Sequence, residues 1–160
     1  MSSYPLQCCL FALALASAGA CAASRVGELV VKEGNAGVPC FTIPEAEEAR
    51  GGAPNFHAIT VTEVGVKGAL WKMAMPAQRT FPVTFRMCIP YAGRLPVLPQ
   101  TPAVALQPRR VYEVAIDARA RGAGAPRDYR ARFCLERQED GALRVRNLAL
   151  THPRQRQSCD

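Results

Sequence analysis

The side chains with chemistry to offer are Cys8, Cys9, Cys21, Cys40, Cys88, Cys134 and Cys159, together with His57 and His152. A cysteine attacks, binds metal or pairs with a second thiol, and its surroundings decide which. The two histidines are far apart in sequence, and neither has a Cys, Asp or Glu at metal-ligand spacing. His57 reads as a surface or edge residue at a strand start, and His152 as part of a polar tail. The sequence has no glycine-rich phosphate loop, no nucleophile elbow and no paired carboxylates on one strand face. No catalytic residue, no cofactor site and no metal site is therefore expected, and the chain reads as a non-enzyme. The cysteines are left to anchoring and to structural pairing.

The compartment is read from the first residues. Leu10 to Ala16 is a short apolar run, followed by small residues through Ala20 and then by polar, charged chain. That is the plan of an export signal, too short to span a bilayer. Signal peptidase I would accept Ala18-Gly19-Ala20 or Ala20-Cys21-Ala22, whereas Ala18-Gly19-Ala20-Cys21 resembles a bacterial lipobox and would end with lipidation of Cys21. The lipoprotein reading is preferred: residues 1–20 as signal peptide, 21–26 as lipidated anchor and short linker, and 27–160 as the domain. Cys8 and Cys9 leave with the signal. Cys40, Cys88, Cys134 and Cys159 remain, and an even set of four in an exported chain reads as two disulfides with three open connectivities.

Charge is unevenly spread. Residues 22–78 hold five bases and six acids, while 79–160 hold 15 bases and seven acids, so the second half carries the basic excess. The arginines are spaced singly along alternating segments and aromatics are not interleaved with them, so no nucleic-acid partner is expected. A basic surface instead suits an acidic partner or anionic lipid head groups.

Eight alternating segments fall between scattered Pro and Gly: 27–33, 38–44, 56–66, 69–75, 80–91, 110–120, 129–137 and 142–150. Short strands at near-regular spacing predict an all-β fold, a single antiparallel β-sandwich of immunoglobulin-like type with seven to eight strands. "PEAEEARG" (44–51) is either one helical turn stopped by Gly51, Gly52 and Pro54 or an acidic loop. Period-two bookkeeping puts Phe81, Val83, Phe85, Met87 and Ile89 on one face of 80–91, opposite Cys88. It also puts Tyr129, Ala131, Phe133 and Leu135 opposite Cys134, and Phe41 and Ile43 opposite Cys40. Trp71, Met73 and Met75 read as a core face, as do Tyr112, Val114 and Ile116. The strand cysteines thus sit on polar faces, which argues against a bridge buried between two sheets despite the order Cys40, Trp71, Cys134. Bridges between neighbouring strands or to the tail fit better, with a lean to Cys40 with Cys88 and to Cys134 with Cys159.

The segments "GVPCFTIP", "MCIPYAG" and "YRARFCLE", in this order and with a strand near Trp71 and "LQPRRVYEVAI" between them, resemble the type VI secretion system immunity periplasmic lipoproteins. Cys40, Phe41, Ile43 and Pro44 match the first motif, Cys88, Ile89 and Tyr91 the second, and Tyr129, Ala131, Phe133 and Cys134 the third. The resemblance runs from about Glu28 to Leu148, and its residues define a fold rather than a binding site. It implies a disulfide-stapled lipoprotein facing the periplasm that binds and neutralises an effector toxin. Ala22 is not the Asp-type signal for inner-membrane retention, so the outer membrane is expected in preference to the inner membrane or a soluble periplasmic state. The alternative is an envelope structural or adaptor lipoprotein that docks a resident protein. The candidate contact surface is the loops 44–55, 92–102 and 119–128, rich in Pro and Gly.

Overall fold

The computed structural model describes residues 25–93, 98–119, 124–150 and 159. Cys8, Cys9, Cys21 and His152 lie outside them, and with them the expectations of a signal peptide and of lipidation. The elements in chain order are β1 (Gly27–Glu28), β2 (Val30–Glu33), β3 (Pro39–Thr42), α1 (Glu45–Gly51), β4 (Asn55–Glu63), β5 (Ala69–Ala74), β6 (Phe81–Pro82), β7 (Ile89–Pro90), β8 (Val111–Arg119), β9 (Asp128–Arg137) and β10 (Leu143–Leu148). The fold is mostly β with one short helix, as the alternation predicts. Its strands form a seven-stranded sheet of order β1-β9-β8-β4-β5, with β10 also on β9 and β6 on β4, and a three-stranded sheet β2-β3-β7.

Two expected strands take another form. Segment 27–33 splits at buried Leu29, so that β1 pairs with Tyr129 and Arg130 of the large sheet while β2 pairs with β3 of the small one. The chain thereby crosses between the sheets within one residue. It meets β9 running in the same direction, and this parallel pair corrects the uniformly antiparallel expectation. Segment 80–91 is a strand only at its ends. Pro82 has no N–H to give a ladder, and Met87 N–H turns back to the Thr84 carbonyl at 3.0 Å. Met87 accordingly ends up 41% exposed rather than inward, although Val83 and Ile89 are buried as expected.

The core is where the alternation of both sheets converges. Ile59, Val61, Trp71, Met73, Tyr112, Val114, Ile116, Tyr129 and Phe133 come from the large sheet, and Val31, Phe41 and Ile89 from the small one. Phe41 meets Phe133 across the two sheets with ring centroids 5.9 Å apart, and Tyr112 packs on Phe133 at 5.4 Å. Each such aromatic contributes about 1.5–3 kcal/mol by leaving water, so these contacts help to hold the two sheets together.

At one side the sheets are sewn together by a side chain. Val31 N–H donates to Asn147 Oδ1 at 2.9 Å, and Asn147 Nδ2 donates to the Val31 carbonyl at 2.7 Å. The amide copies the donor and acceptor of a strand, so β10 pairs with β9 through its backbone and with β2 through Asn147. The opposite edge is also covered. Pro99 and Thr101 exchange hydrogen bonds with Ala74 and Lys72 of β5 at 3.0 and 2.9 Å, which shields an edge that would otherwise invite another strand.

Candidate functional site

Three features stand out: a disulfide, a clamp on the incoming chain and an open end opposite it. The disulfide joins Cys40 of β3 to Cys88, whose Cα lies 5.4 Å away, inside bridging range. Antiparallel pairing of Phe41 with Ile89 brings the two together. The pairing expected for Cys40 and Cys88 is therefore present, between neighbouring strands and not across the sheets. Cys134 and Cys159, expected as the second pair, are not bridged in this structure and stand as buried thiols. Cys159 donates its Sγ–H to the Arg110 carbonyl at 3.4 Å. Burial, reinforced by a hydrogen bond with Cys159, pushes the Cys134 thiol up to about 12.

The segments of the resemblance meet in space although they are distant in sequence. Cys40 bonds Cys88, Phe41 lies opposite Ile89, and Phe41 packs on Phe133. Tyr91 reaches Trp71 edge-on at 5.5 Å and donates its hydroxyl to the Val104 carbonyl at 2.6 Å. Ile43, Tyr129 and Ala131 belong to the same core, while Cys134 is buried on the opposite face of β9. The apolar residues of the three motifs thus share one core.

The clamp is built on α1. Three acids in its first turn face the helix N-terminus, where they are favoured, and Gly52 ends it at φ 73°, a left-handed turn that suits glycine. Glu47 is only 2% exposed and binds Arg25 through both oxygens at 2.5 and 3.1 Å, with Arg50 at 3.3 Å. Burial pushes the Glu47 carboxyl up, but the hydrogen bond and charge of Arg25, the Glu28 backbone and Arg50 outweigh it and leave the group below its ordinary value. The same contact raises Arg25. Two residues on, Gly27 lies flat on the Tyr129 ring, and a Cβ there would fall inside the ring carbons. A glycine is required here by close approach rather than by dihedral freedom. Sequence reading saw Glu47 only as one acid of a possible loop; its partner is 22 residues away and no spacing links them.

Strand register places this clamp at the end of the large sheet that holds Asn55, Arg119 and Asp128. The other end holds the β4–β5 turn. There Val64 and Val66 are 44% and 53% exposed, beside an open concavity of about 440 Å³ lined by Thr60, Thr62, Glu63, Lys72 and Glu113. Of the expected contact loops, 44–55 is largely α1 and is engaged by the clamp, while 119–128 lies at the clamp end with part of it outside the described residues. The described part of 92–102 lies partly along β5.

The outer face of the large sheet alternates in sign. Glu113 binds Arg130 and Arg132 at 3.2 and 2.9 Å, and Glu136 binds Arg146 at 2.7 Å. His57 Nδ1 and Trp71 Nε1 are buried without a hydrogen-bond partner among the described residues. Among those residues no group of three His, Cys, Asp or Glu could hold a metal ion, and no helix is long and apolar enough to cross a membrane. No family model, curated protein or solved structure matches this chain.

Proposed function

We propose that the chain is an immunity lipoprotein of the periplasm, held to the outer membrane through Cys21, that binds and neutralises a type VI secretion effector toxin. The observation that carries this reading is the convergence of the three motif segments on one disulfide and one aromatic contact, Cys40 with Cys88 and Phe41 with Phe133. Motifs that share a core are fold-defining, which is what the resemblance implies of them. We read the two sheets and their common core as a β-sandwich in the wider, immunoglobulin-like sense, with β1 as its one parallel strand. The disulfide suits an oxidising compartment.

The clamp adds a mechanical argument. Arg25 is four positions along from Cys21, at most about 14 Å of extended chain, and it is fixed to Glu47. Acyl chains on Cys21 would therefore hold the clamp end close to the bilayer and turn the β4–β5 end outward. A rigid, disulfide-bonded scaffold loses little freedom when its exposed end meets a protein, so less of the contact energy is spent on ordering. On this reading the toxin docks at the turn carrying Val64 and Val66 and at the concavity beside it.

The test is capture. The full chain, extracted from envelopes in mild detergent, is offered the secreted effectors of competing cells and the resident envelope proteins. Retention of one effector, eluted as a stoichiometric complex, supports the reading. Retention of resident proteins alone overturns it in favour of an adaptor lipoprotein.

A further inference from the structure

Cys134 stands on the outward side of β9, in line with Arg130, Arg132 and Glu136, and its cross-strand partners are Val111 and Arg146. On a face whose charged neighbours reach solvent, it is nevertheless 0% exposed. Cys159 lies against it. Cys159 is 8% exposed, hydrogen-bonds Cys134, and is fixed from the other side by its hydrogen bond to the Arg110 carbonyl. A residue one position from the terminus is normally frayed; this one is docked thiol against thiol.

We propose that Cys134 and Cys159 form a second disulfide, which closes a covalent ring around β10 and locks the seam between the two sheets. The ring encloses Leu143–Leu148 whole, including Asn147, whose amide holds Val31, and Val145, whose N–H donates to Glu33 at 3.2 Å. β10 is thus tied to β9 by a ladder and to β2 by side chains, and the bond fastens its far side. The first bridge lies within the small sheet, so the two fasten different parts of the molecule.

The bond forms by thiol–disulfide exchange with a disulfide oxidant of the exported compartment. The Cys159 thiolate attacks one oxidant sulfur and expels the other as a thiolate. The Cys134 sulfur then attacks Sγ of Cys159 and releases the second oxidant thiolate. Two thiols give up two protons and two electrons, and the oxidant's disulfide takes them up as a dithiol.

The test uses the full chain incubated with oxidised glutathione, then denatured, alkylated and cut with trypsin without reductant. The expected product joins residues 133–137 to 157–160 and separates on reduction, alongside 33–50 joined to 87–94. Recovery of Cys134 and Cys159 alkylated, capped by glutathione, or joined to any other cysteine or to a second copy overturns the proposal. A Cys159→Ser chain provides an independent reading. Its melting temperature should fall roughly 5–10 °C below that of the oxidised chain, with faster amide exchange along 143–148. Equal melting and unchanged exchange would overturn the ring's role at the seam.

Discussion

The two ends of the large sheet contrast sharply. At the clamp end the chain satisfies itself: Arg25 occupies Glu47, Gly27 covers Tyr129, and α1 donates no free acid at its centre. At the β4–β5 end two valines stand exposed beside a concavity that nothing in the described residues fills. The difference teaches which surface is spent on holding the fold and which is not, and the latter is where the proposed partner would dock. Buried charge and close packing are costly to disturb, whereas an exposed turn can change with little effect on stability.

The contrast can be broken from the scaffold upward. The bridge closes a loop of 48 residues, so replacing Cys40 and Cys88 by Ala should have the largest effect, a loss of about 4 kcal/mol in chemical denaturation. An unchanged denaturation midpoint would mean that the bridge constrains nothing. At the clamp end, Gly27→Ala drives a methyl into the Tyr129 ring and should cost about 1–3 kcal/mol; the same substitution at Gly65, which has open space around it, tests only its positive φ.

The clamp's charge gives a smaller and pH-dependent effect. Glu47 ionises below its ordinary 4.5 in the folded chain, so the unfolded chain binds its proton first as pH falls. The stabilisation is therefore complete above 4.5 and is lost as pH drops through the folded value. Glu47→Gln should remove that part of the acid sensitivity and cost about 1 kcal/mol at pH 7, a figure kept low because Arg25 is partly exposed and water screens the pair. Parallel acid profiles for the two proteins would show that Glu47 does not carry the clamp. At the open end, Val64→Ser with Val66→Ser should shift stability by no more than about 0.5 kcal/mol. A larger loss on melting would mean that the turn is structural, which would remove the distinction between the ends.

Much of this was legible in the sequence because strand alternation reports burial directly. Trp71 and Met73, the inward set of β8 and the inward set of β9 all sit where period two puts them. The Cys40–Cys88 bridge was a lean among three open connectivities, and it formed although Cys40 is buried rather than on a polar face. What failed was local. Segments 27–33 and 80–91 alternate well enough, but a sheet crossing at Leu29 and a turn at Thr84 are decided by tertiary partners such as Arg130 and Glu48. The candidate site was less legible. Glu47 with Arg25 and Asn147 with the Val31 backbone are long-range pairs, and only the fold shows that Glu47 is buried and that the Asn147 amide plays a strand. The loops richest in Pro and Gly drew attention for composition, while the exposed turn at Val64 and Val66 was hidden inside an apparently continuous strand.

The most direct test is survival under attack. Sensitive cells carry the full chain, its Val64→Ser and Val66→Ser double variant, or no copy, and are exposed to a competitor with an active type VI secretion system. The account predicts that the full chain protects, and that the double variant loses protection at equal abundance and equal melting temperature. Cells with the full chain dying as fast as cells without it would contradict the central claim.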